Sequence, residues 1–496
     1  MRRAKSIKNN FFDIKEIGHI HSFFAGVGKV KGLPNVGMHE VLIDQNGKEI
    51  GIVIGFDEEF VDVLFFDTNI PLNKPVFRSF RPFSTNVSDT CIGRIIDGVG
   101  RPLDNLGELT GKKYPVFRSA PSIIEREPVS VPLTTGIKLI DITLPIGRGQ
   151  RELIIGDRNL GKSTIAIDIV LNQKYANPPV YCIYVICGQK QRKLHELINI
   201  FNRYEAFTYS TIVSATSDNS FASLYLAPFV GTTIGEYFRD NGKDALIVYD
   251  DLSKHAKIYR DISLILERAP GREAYPGDIF SLHAGLLERS AKLCKKKKGG
   301  SLTALPIIET QEGDITSFIS TNLISITDGQ IYLEKGLFEK GFLPAINIGL
   351  SVSRIGGKAQ PEPLRKVSEG IRLSLAQHKE LQKLSQLETT LSMQAQKRIL
   401  RGELILELLK QKKHTNISWP QQTILVYAVE QGFFDDIEKS QWSEFENLLL
   451  ELIKNKYFNI LEKIKNGIFN NEIKQKINKI ITDFKQEFLL TKQENT

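Results

Sequence analysis

The chain has 496 residues, of which 41% are hydrophobic and 25% charged, with a formal net charge of +8; at about 150 residues per domain this length corresponds to about three domains. The balance is that of an ordinary folded protein and excludes a collagen, a disordered chain and a polytopic membrane protein, because no apolar run approaches the roughly 18 residues of a spanning helix. The positive charge permits nucleic acid, nucleotide or anionic-surface partners and selects none of them.

The basic start Met1-Arg2-Arg3-Ala4-Lys5 is followed by no apolar stretch and does not read as a secretory signal. Residues 1–82 read as all-β, forming a small barrel that ends near Pro82. Val41-Leu42-Ile43 leads into the hairpin turn Asp44-Gln45-Asn46-Gly47, and Ile50, Ile52, Ile54 and Phe56 then alternate with smaller residues. Val61, Val63 and Phe65 continue the period of two. Residues 83–362 change character. Apolar runs at 152–155, 180–187, 245–249 and 301–308 alternate with helical segments. Such runs suit strands buried on both faces, so a parallel α/β sheet is predicted. From Pro363 to Thr496 the chain is helical and rich in Lys, Gln, Glu and Leu. Leu400, Leu404 and Leu408 make one stripe, Phe445, Leu448, Leu449 and Leu452 another, and Ile473, Ile477, Ile480 and Phe484 a third. These are core faces of a helical bundle. The four cysteines lack metal-ligand spacing; Cys182 and Cys187 sit in a strand run as small core hydrophobes, and a reducing compartment is expected. The run 295–298 of four lysines reads as a solvated loop.

Gly156-Asp157-Arg158-Asn159-Leu160-Gly161-Lys162-Ser163 matches the phosphate-loop pattern G-x-x-x-x-G-K-[ST]. Its glycines let backbone N–H groups turn towards phosphate oxygens. Lys162 can reach the outer phosphates, and the Ser163 hydroxyl can ligate Mg²⁺. The helix that follows, beginning Lys162-Ser163-Thr164, points its positive end at the same anion. A second acid for the Mg²⁺ side is expected at the end of another buried strand, and Ala245-Leu246-Ile247-Val248-Tyr249-Asp250-Asp251 supplies it. Asp250 is the expected Mg²⁺ contact; Asp251 precedes a helical run and also reads as its N-cap. Hydrolysis needs a group that polarises the attacking water. The strand at 180–187 runs into Gly188-Gln189-Lys190, and Gln189 is no base. A site of this composition holds ATP or ADP with Mg²⁺ and turns it over poorly.

With these motifs in place, the chain resembles the alpha-type chains of the F-type ATP synthase family. The resemblance rests on Pro145-Ile146-Gly147-Arg148-Gly149-Gln150-Arg151, Tyr249-Asp250-Asp251-Leu252-Ser253-Lys254, Pro270-Gly271-Arg272-Glu273-Ala274-Tyr275-Pro276-Gly277-Asp278, Ser325-Ile326-Thr327-Asp328-Gly329-Gln330, and Pro344-Ala345-Ile346-Asn347 reaching Ser351-Val352-Ser353-Arg354. It implies a central domain of the RecA-like kind and a non-catalytic role beside a catalytic beta-type subunit, in an alternating three-plus-three hexamer around a gamma-type shaft. Stalk or scaffold subunits complete such a complex, which lies in the cytoplasm against the inner face of the cell membrane. The resemblance further implies that Arg354 is an arginine finger reaching the neighbour's phosphoryl group, and that Phe338, Pro344 and Gln411 lie on the base side of the chain's own site. Departures cluster at that site: Asn159-Leu160 within the loop, Leu343 where an arginine is usual, and Lys413 where a second glutamine is usual. The N-terminal extension is short, and the segment 387–392, where a rotor-facing loop is expected, has lost glycine and aspartate. These losses admit a paralogous hydrolytic motor, for example one driving gliding. A hexameric RNA-translocating ATPase is the alternative of another class, with Phe77-Arg78-Ser79-Phe80-Arg81-Pro82-Phe83 as its candidate stacking surface, although this run reads first as the last barrel strand. A self-sufficient ATPase is disfavoured by Gln189.

Overall fold

The fold is taken from a computed structural model, which describes residues 16–72, 74–385 and 392–494. The N-terminal extension and nearly all of the segment 387–392 lie outside the described residues.

Six antiparallel strands close the barrel: β1 (Ile17–Phe24), β2 (Val27–Lys31), β3 (Glu40–Ile43), β4 (Glu49–Phe56), β5 (Phe60–Phe65) and β6 (Pro75–Pro82), in the order β1-β2-β5-β4-β3-β6. The β3–β4 turn forms where expected. The Asp44 carboxylate accepts from the backbone N–H of Asn46 and Lys48, and Gly47 takes the positive φ that the turn requires. The predicted alternation holds only in part, because both faces of β4 are buried. Leu42, Val53, Val63 and Phe65 fill the barrel. Ile52, Ile54, Leu64 and Phe66 pack outward on the central domain. Phe56 is exposed, since the register of β4 on β5 shifts between Val53 and Gly55. The 77–83 run is largely β6, as read. Its Arg78 guanidinium pairs with Glu16 and Glu40 and lies 4.4 Å over the Phe80 ring.

The central sheet has eight strands among the described residues: β7 (Ile95–Asp97), β8 (Leu153–Gly156), β9 (Val180–Gln189), β10 (Ser210–Thr216), β11 (Asp244–Asp250), β12 (Ser301–Glu309), β13 (Gly329–Leu333) and β14 (Val352–Ser353). Their order is β14-β13-β8-β12-β11-β9-β10-β7. All pair in parallel except β14, which returns antiparallel on β13. Helices α1 (Lys138–Thr143), α2 (Lys162–Asn172), α3 (Gln191–Arg203), α4 (Phe221–Asp240), α5 (Leu252–Ile265), α6 (Ile279–Leu287), α7 (Phe318–Ile326) and α8 (Lys335–Glu339) connect and cover the strands. Each sheet face carries its own core. Ile154, Tyr184, Ile186 and Val248 pack with α2 and α3, whereas Ile155, Val185, Ile247 and Ala304 pack with α4. Gly231 lets α4 lie close: a Cβ there would sit 2.4 Å from the Val185 side chain. All four cysteines are free thiols, and Cys182 and Cys187 are fully buried.

The C-terminal region is helical: α9 (Glu362–Ser368), α10 (Ile371–Ser385), α11 (Met393–Leu409), α12 (Trp419–Glu430), α13 (Trp442–Lys456), α14 (Phe458–Lys465) and α15 (Asn471–Glu494). The stripes are buried in part: Leu452, Ile480 and Phe484 are half-buried, and two residues are exposed. Leu400 and Leu448 are exposed, while Leu404, Leu408, Phe445, Leu449, Ile473 and Ile477 are buried. Lys138 of α1 and Glu446 of α13 form a buried ion pair between the central and helical domains. Losing one partner of such a pair costs about 3–5 kcal/mol. No described helix is long and apolar enough to cross a membrane.

Behind the sheet, His255 and His283 are buried with ring nitrogens 3.2 Å apart, and His255 Nε2 lies 3.1 Å from the Tyr225 carbonyl oxygen. Burial pushes them down to about 4 and about 3. Both are neutral in the fold and charge more readily when unfolded, so the unfolded state binds more protons below about pH 6.5. Stability is therefore expected to fall as pH drops from 6.5 towards 4, read as a falling thermal midpoint. The double variant His255→Gln, His283→Gln should flatten that slope between pH 6.5 and 4.5.

Candidate functional site

The carboxyl ends of β8, β9, β11 and β12 meet at one edge of the sheet, where a parallel α/β fold opens its crevice. The phosphate loop runs from the end of β8 to the start of α2. Gly156, Asn159 and Gly161 all take positive φ, and a Cβ on Gly161 would meet nothing within 4 Å, so the space over the helix start is open. The Lys162 ammonium is buried and donates to the carbonyl oxygens of Gly156 (2.8 Å) and Asp157 (2.6 Å). Burial lowers its pKa, and the charges of Glu309, Asp251 and Asp250 work against that lowering. Asp157 turns away from the crevice: its Oδ1 accepts from Thr310 Oγ1 (2.6 Å) and the Gly313 N–H (2.8 Å), tying the loop to the segment after β12. Arg158 and Asn159 stand exposed at the tip.

Across the crevice, Asp250 at the end of β11 is buried. Its two oxygens accept from Tyr184 Oη (2.8 Å) and Gln189 Nε2 (2.9 Å). Asp251 is the N-cap of α5, accepting from the Lys254 N–H at 2.7 Å, as its position before a helical run suggested. Burial pushes its carboxyl up to about 7, with Lys254 opposing and Asp250 and Glu309 adding to the rise. Gln189 is held at both ends. Its Oε1 accepts from Lys254 Nζ at 2.5 Å, and its Nε2 donates to Asp250 and to Asp251 (3.3 Å). A carboxamide fixed this way can neither accept a proton nor turn to orient a water. Ser163 Oγ accepts from Lys193 Nζ at 3.2 Å.

Beyond the loop, a cleft of about 560 Å³ is lined by Leu160, Gly161, Thr164 and Ile165 on one side and by Phe338, Leu343 and Pro344 on the other. Gln411 also lines it, but its amide is fully engaged. Oε1 accepts from the Lys138 N–H (2.9 Å), and Nε2 donates to the carbonyl oxygens of Gly136 (2.8 Å) and Thr415 (2.5 Å). It staples the 410–417 segment to the central domain. Asp168 of α2 does the same from below, accepting from the His414 N–H and lying 2.7 Å from His414 Nδ1. The cleft is mainly apolar and opens off the 156–163 loop.

Arg354 lies far from these groups, just past β14 at the sheet edge. Its backbone N–H donates to the Asp328 carbonyl oxygen at 2.9 Å, while its side chain is exposed and makes no hydrogen bond or ion pair among the described residues. The strand beneath it is fixed: Ser353 Oγ donates to the Pro145 carbonyl oxygen (2.7 Å) and accepts from Gln150 Nε2 (3.2 Å), which also donates to the buried Glu152 carboxyl.

Residues 136–353 match the nucleotide-binding domain model of the ATP synthase alpha/beta family, and residues 360–484 match the C terminal domain model of the ATP synthase alpha/beta chain. The chain belongs to the ATP synthase alpha/beta family. It is 47% identical over 480 residues to ATP synthase subunit alpha of Aquifex aeolicus (strain VF5), covering 96% of this chain and 95% of that one. It is 44% identical over 477 residues to ATP synthase subunit alpha of Helicobacter pylori (strain Shi470), covering 95% and 94% respectively. The same subunit of Helicobacter acinonychis (strain Sheeba) is similar to the same degree, at 44% over 477 residues. Nothing in these likenesses supports a separate hydrolytic motor of the gliding kind. The family gives the central domain its role: it is a nucleotide-binding domain.

The structure brings the loop residues, Gln189, Asp250, Phe338, Pro344 and Gln411 around one crevice and sets Arg354 apart. Sequence reading missed Tyr184, Lys193, Lys254 and Glu309 at the phosphate edge. Tyr184 lies inside an apolar strand run and reads as core, and nothing in the strand pattern distinguishes it from Tyr181 of the same strand. The clamp on Gln189 gives a prediction. In Gln189→Glu, one new oxygen would face Asp250 and Asp251 at hydrogen-bond distance, a like-charge contact between buried groups. The variant is expected to lose about 1–3 kcal/mol of stability at pH 8, less at pH 5, and to gain no ATP turnover. Chemical denaturation at the two pH values and a phosphate-release assay check this.

Proposed function

We propose that the chain is the non-catalytic, ATP- or ADP-binding alpha-type subunit of an F-type ATP synthase hexamer, and that Arg354 is its arginine finger towards a neighbouring catalytic beta-type subunit. The observation that carries the non-catalytic reading is Gln189, a neutral carboxamide clamped by Lys254 and Asp250 where phosphoryl transfer to water needs an orienting acid or a free glutamine. Nucleotide enters with its phosphates against the loop amides and Lys162, and its base in the slot between Leu160 and Ile165 on one side and Phe338 and Pro344 on the other. With the Gln411 amide engaged, the base is held by apolar contact rather than by that side chain. The polar set at the phosphate end suits Mg²⁺. Ser163 offers a hydroxyl and Asp250 a buried carboxylate with lone pairs beyond its two hydrogen bonds, all hard oxygen donors, and magnesium keeps phosphate oxygens and waters as its other ligands. When bound, it neutralises phosphate charge.

The Arg354 guanidinium is exposed on a braced strand, makes no hydrogen bond or ion pair among the described residues, and acts on the buried Glu152 only through its charge, which supports the finger assignment. Family membership supports assembly with a beta-type subunit around a gamma-type shaft, with stalk subunits beside it, on the cytoplasmic face of the membrane. Family membership disfavours the RNA-translocating reading; in its candidate run Arg78 is paired with two glutamates, while Phe80 and Arg81 are exposed.

Two measurements test the proposal. In the assembled complex, Arg354→Ala is expected to leave subunit stoichiometry intact and to lower steady-state ATP hydrolysis by about 10³-fold; near-normal turnover would remove the finger. In the full chain alone, Lys162→Met is expected to abolish retention of ATP through gel filtration, while wild type retains it and hydrolyses it negligibly.

A further inference from the structure

One cation at the phosphate edge has no part in the arrangement so far. Lys193 lies in the first turn of α3, which begins where β9 ends, so it projects over the same edge as the phosphate loop. Its Nζ donates to Ser163 Oγ at 3.2 Å. Its side chain is exposed, and among the described residues it makes no other hydrogen bond and no ion pair. Two neighbouring ammonium groups are engaged otherwise. Lys162 is buried against its own loop carbonyls, and Lys254 holds Gln189 and lies 3.7 Å from Asp251.

The contact with Ser163 is weak for a charged group: one neutral hydroxyl, made by a long side chain that loses rotamer freedom to hold it. An anion beside Ser163 would turn it into a charge-assisted contact, which is about twice as strong. The charge of Lys193 already reaches the bottom of the loop, since it adds to the lowering that burial imposes on Lys162. A compact ammonium on a flexible stem suits an anion whose position shifts with its counter-ion.

We infer that Lys193 binds the terminal phosphate of a nucleoside triphosphate held in this crevice, and that it lessens the site's dependence on a divalent cation. The inference rests on the nucleotide-binding reading above. When Ser163 serves a cation, the lysine leaves the hydroxyl and stays with the phosphate. When no cation is present, its charge takes over part of the neutralisation at that position. Nucleoside diphosphates, which lack the outer phosphate, gain less from it.

The test is equilibrium dialysis of the full chain with ATP and with ADP, each in excess magnesium and in EDTA, for wild type, Lys193→Met and Lys193→Arg. Lys193 is exposed, so thermal midpoints should be unchanged. In EDTA, Lys193→Met is expected to bind ATP about tenfold more weakly than wild type. ADP should change less, and Lys193→Arg should recover most of the loss. In magnesium the difference should shrink. Equal binding of ATP by wild type and Lys193→Met in EDTA, with magnesium-dependent binding intact in both, would overturn this inference alone. Absence of ATP binding by wild type even in magnesium would overturn the nucleotide site and this inference with it.

Discussion

The parallel pairing of the central sheet is the constraint from which the site follows. Parallel strands all end on the same edge, so the phosphate loop after β8, Gln189 after β9, Asp250 after β11 and Glu309 after β12 are gathered there by topology. The same pairing demands helices on both faces, and each face then carries its own core. The polar edge is surrounded by packed apolar walls, and this burial is what shifts Lys162 down and Asp251 up. The crevice concentrates acidic groups opposite a loop of donors, and binding chemistry follows from the fold.

Much of this was legible beforehand. The runs at 180–187, 245–249 and 301–308 are mostly apolar, and each became a central strand of the parallel sheet. The barrel hairpin followed from Asp44 and Gly47, whose side-chain and backbone needs are local. The phosphate loop was legible because its lysine, serine and glycines have fixed spacing and act within one short segment.

The rest depended on contacts distant in sequence. Gln189 could be read as lacking a base, but its clamp by Lys254 and Asp250 spans more than sixty positions and leaves no local pattern. Gln411 was expected on the base side and does line the slot, yet its amide serves Gly136 and Thr415, an assignment only the fold can make. Leu400 and Leu448 show the limit of periodicity: the spacing marks a helix face, and whether a neighbour covers all of it depends on where the next helix crosses. The alternation in β4 held only in part for the related reason that a barrel strand pressed on a second domain has no free face.

The central and helical domains share one apolar core. Ile154, Ile169 and Ile346 belong to the same buried cluster as Leu408, Leu425 and Phe445, and the Lys138–Glu446 pair locks the seam. The change in composition at Pro363 marks a change in architecture without a break in packing. A dense, continuous interior transmits displacement rather than absorbing it. A displacement of the helical domain would be passed on to the slot wall, since Gln411 and His414 join the helical segment to it. Among the described residues, arm and pocket share one packed interior.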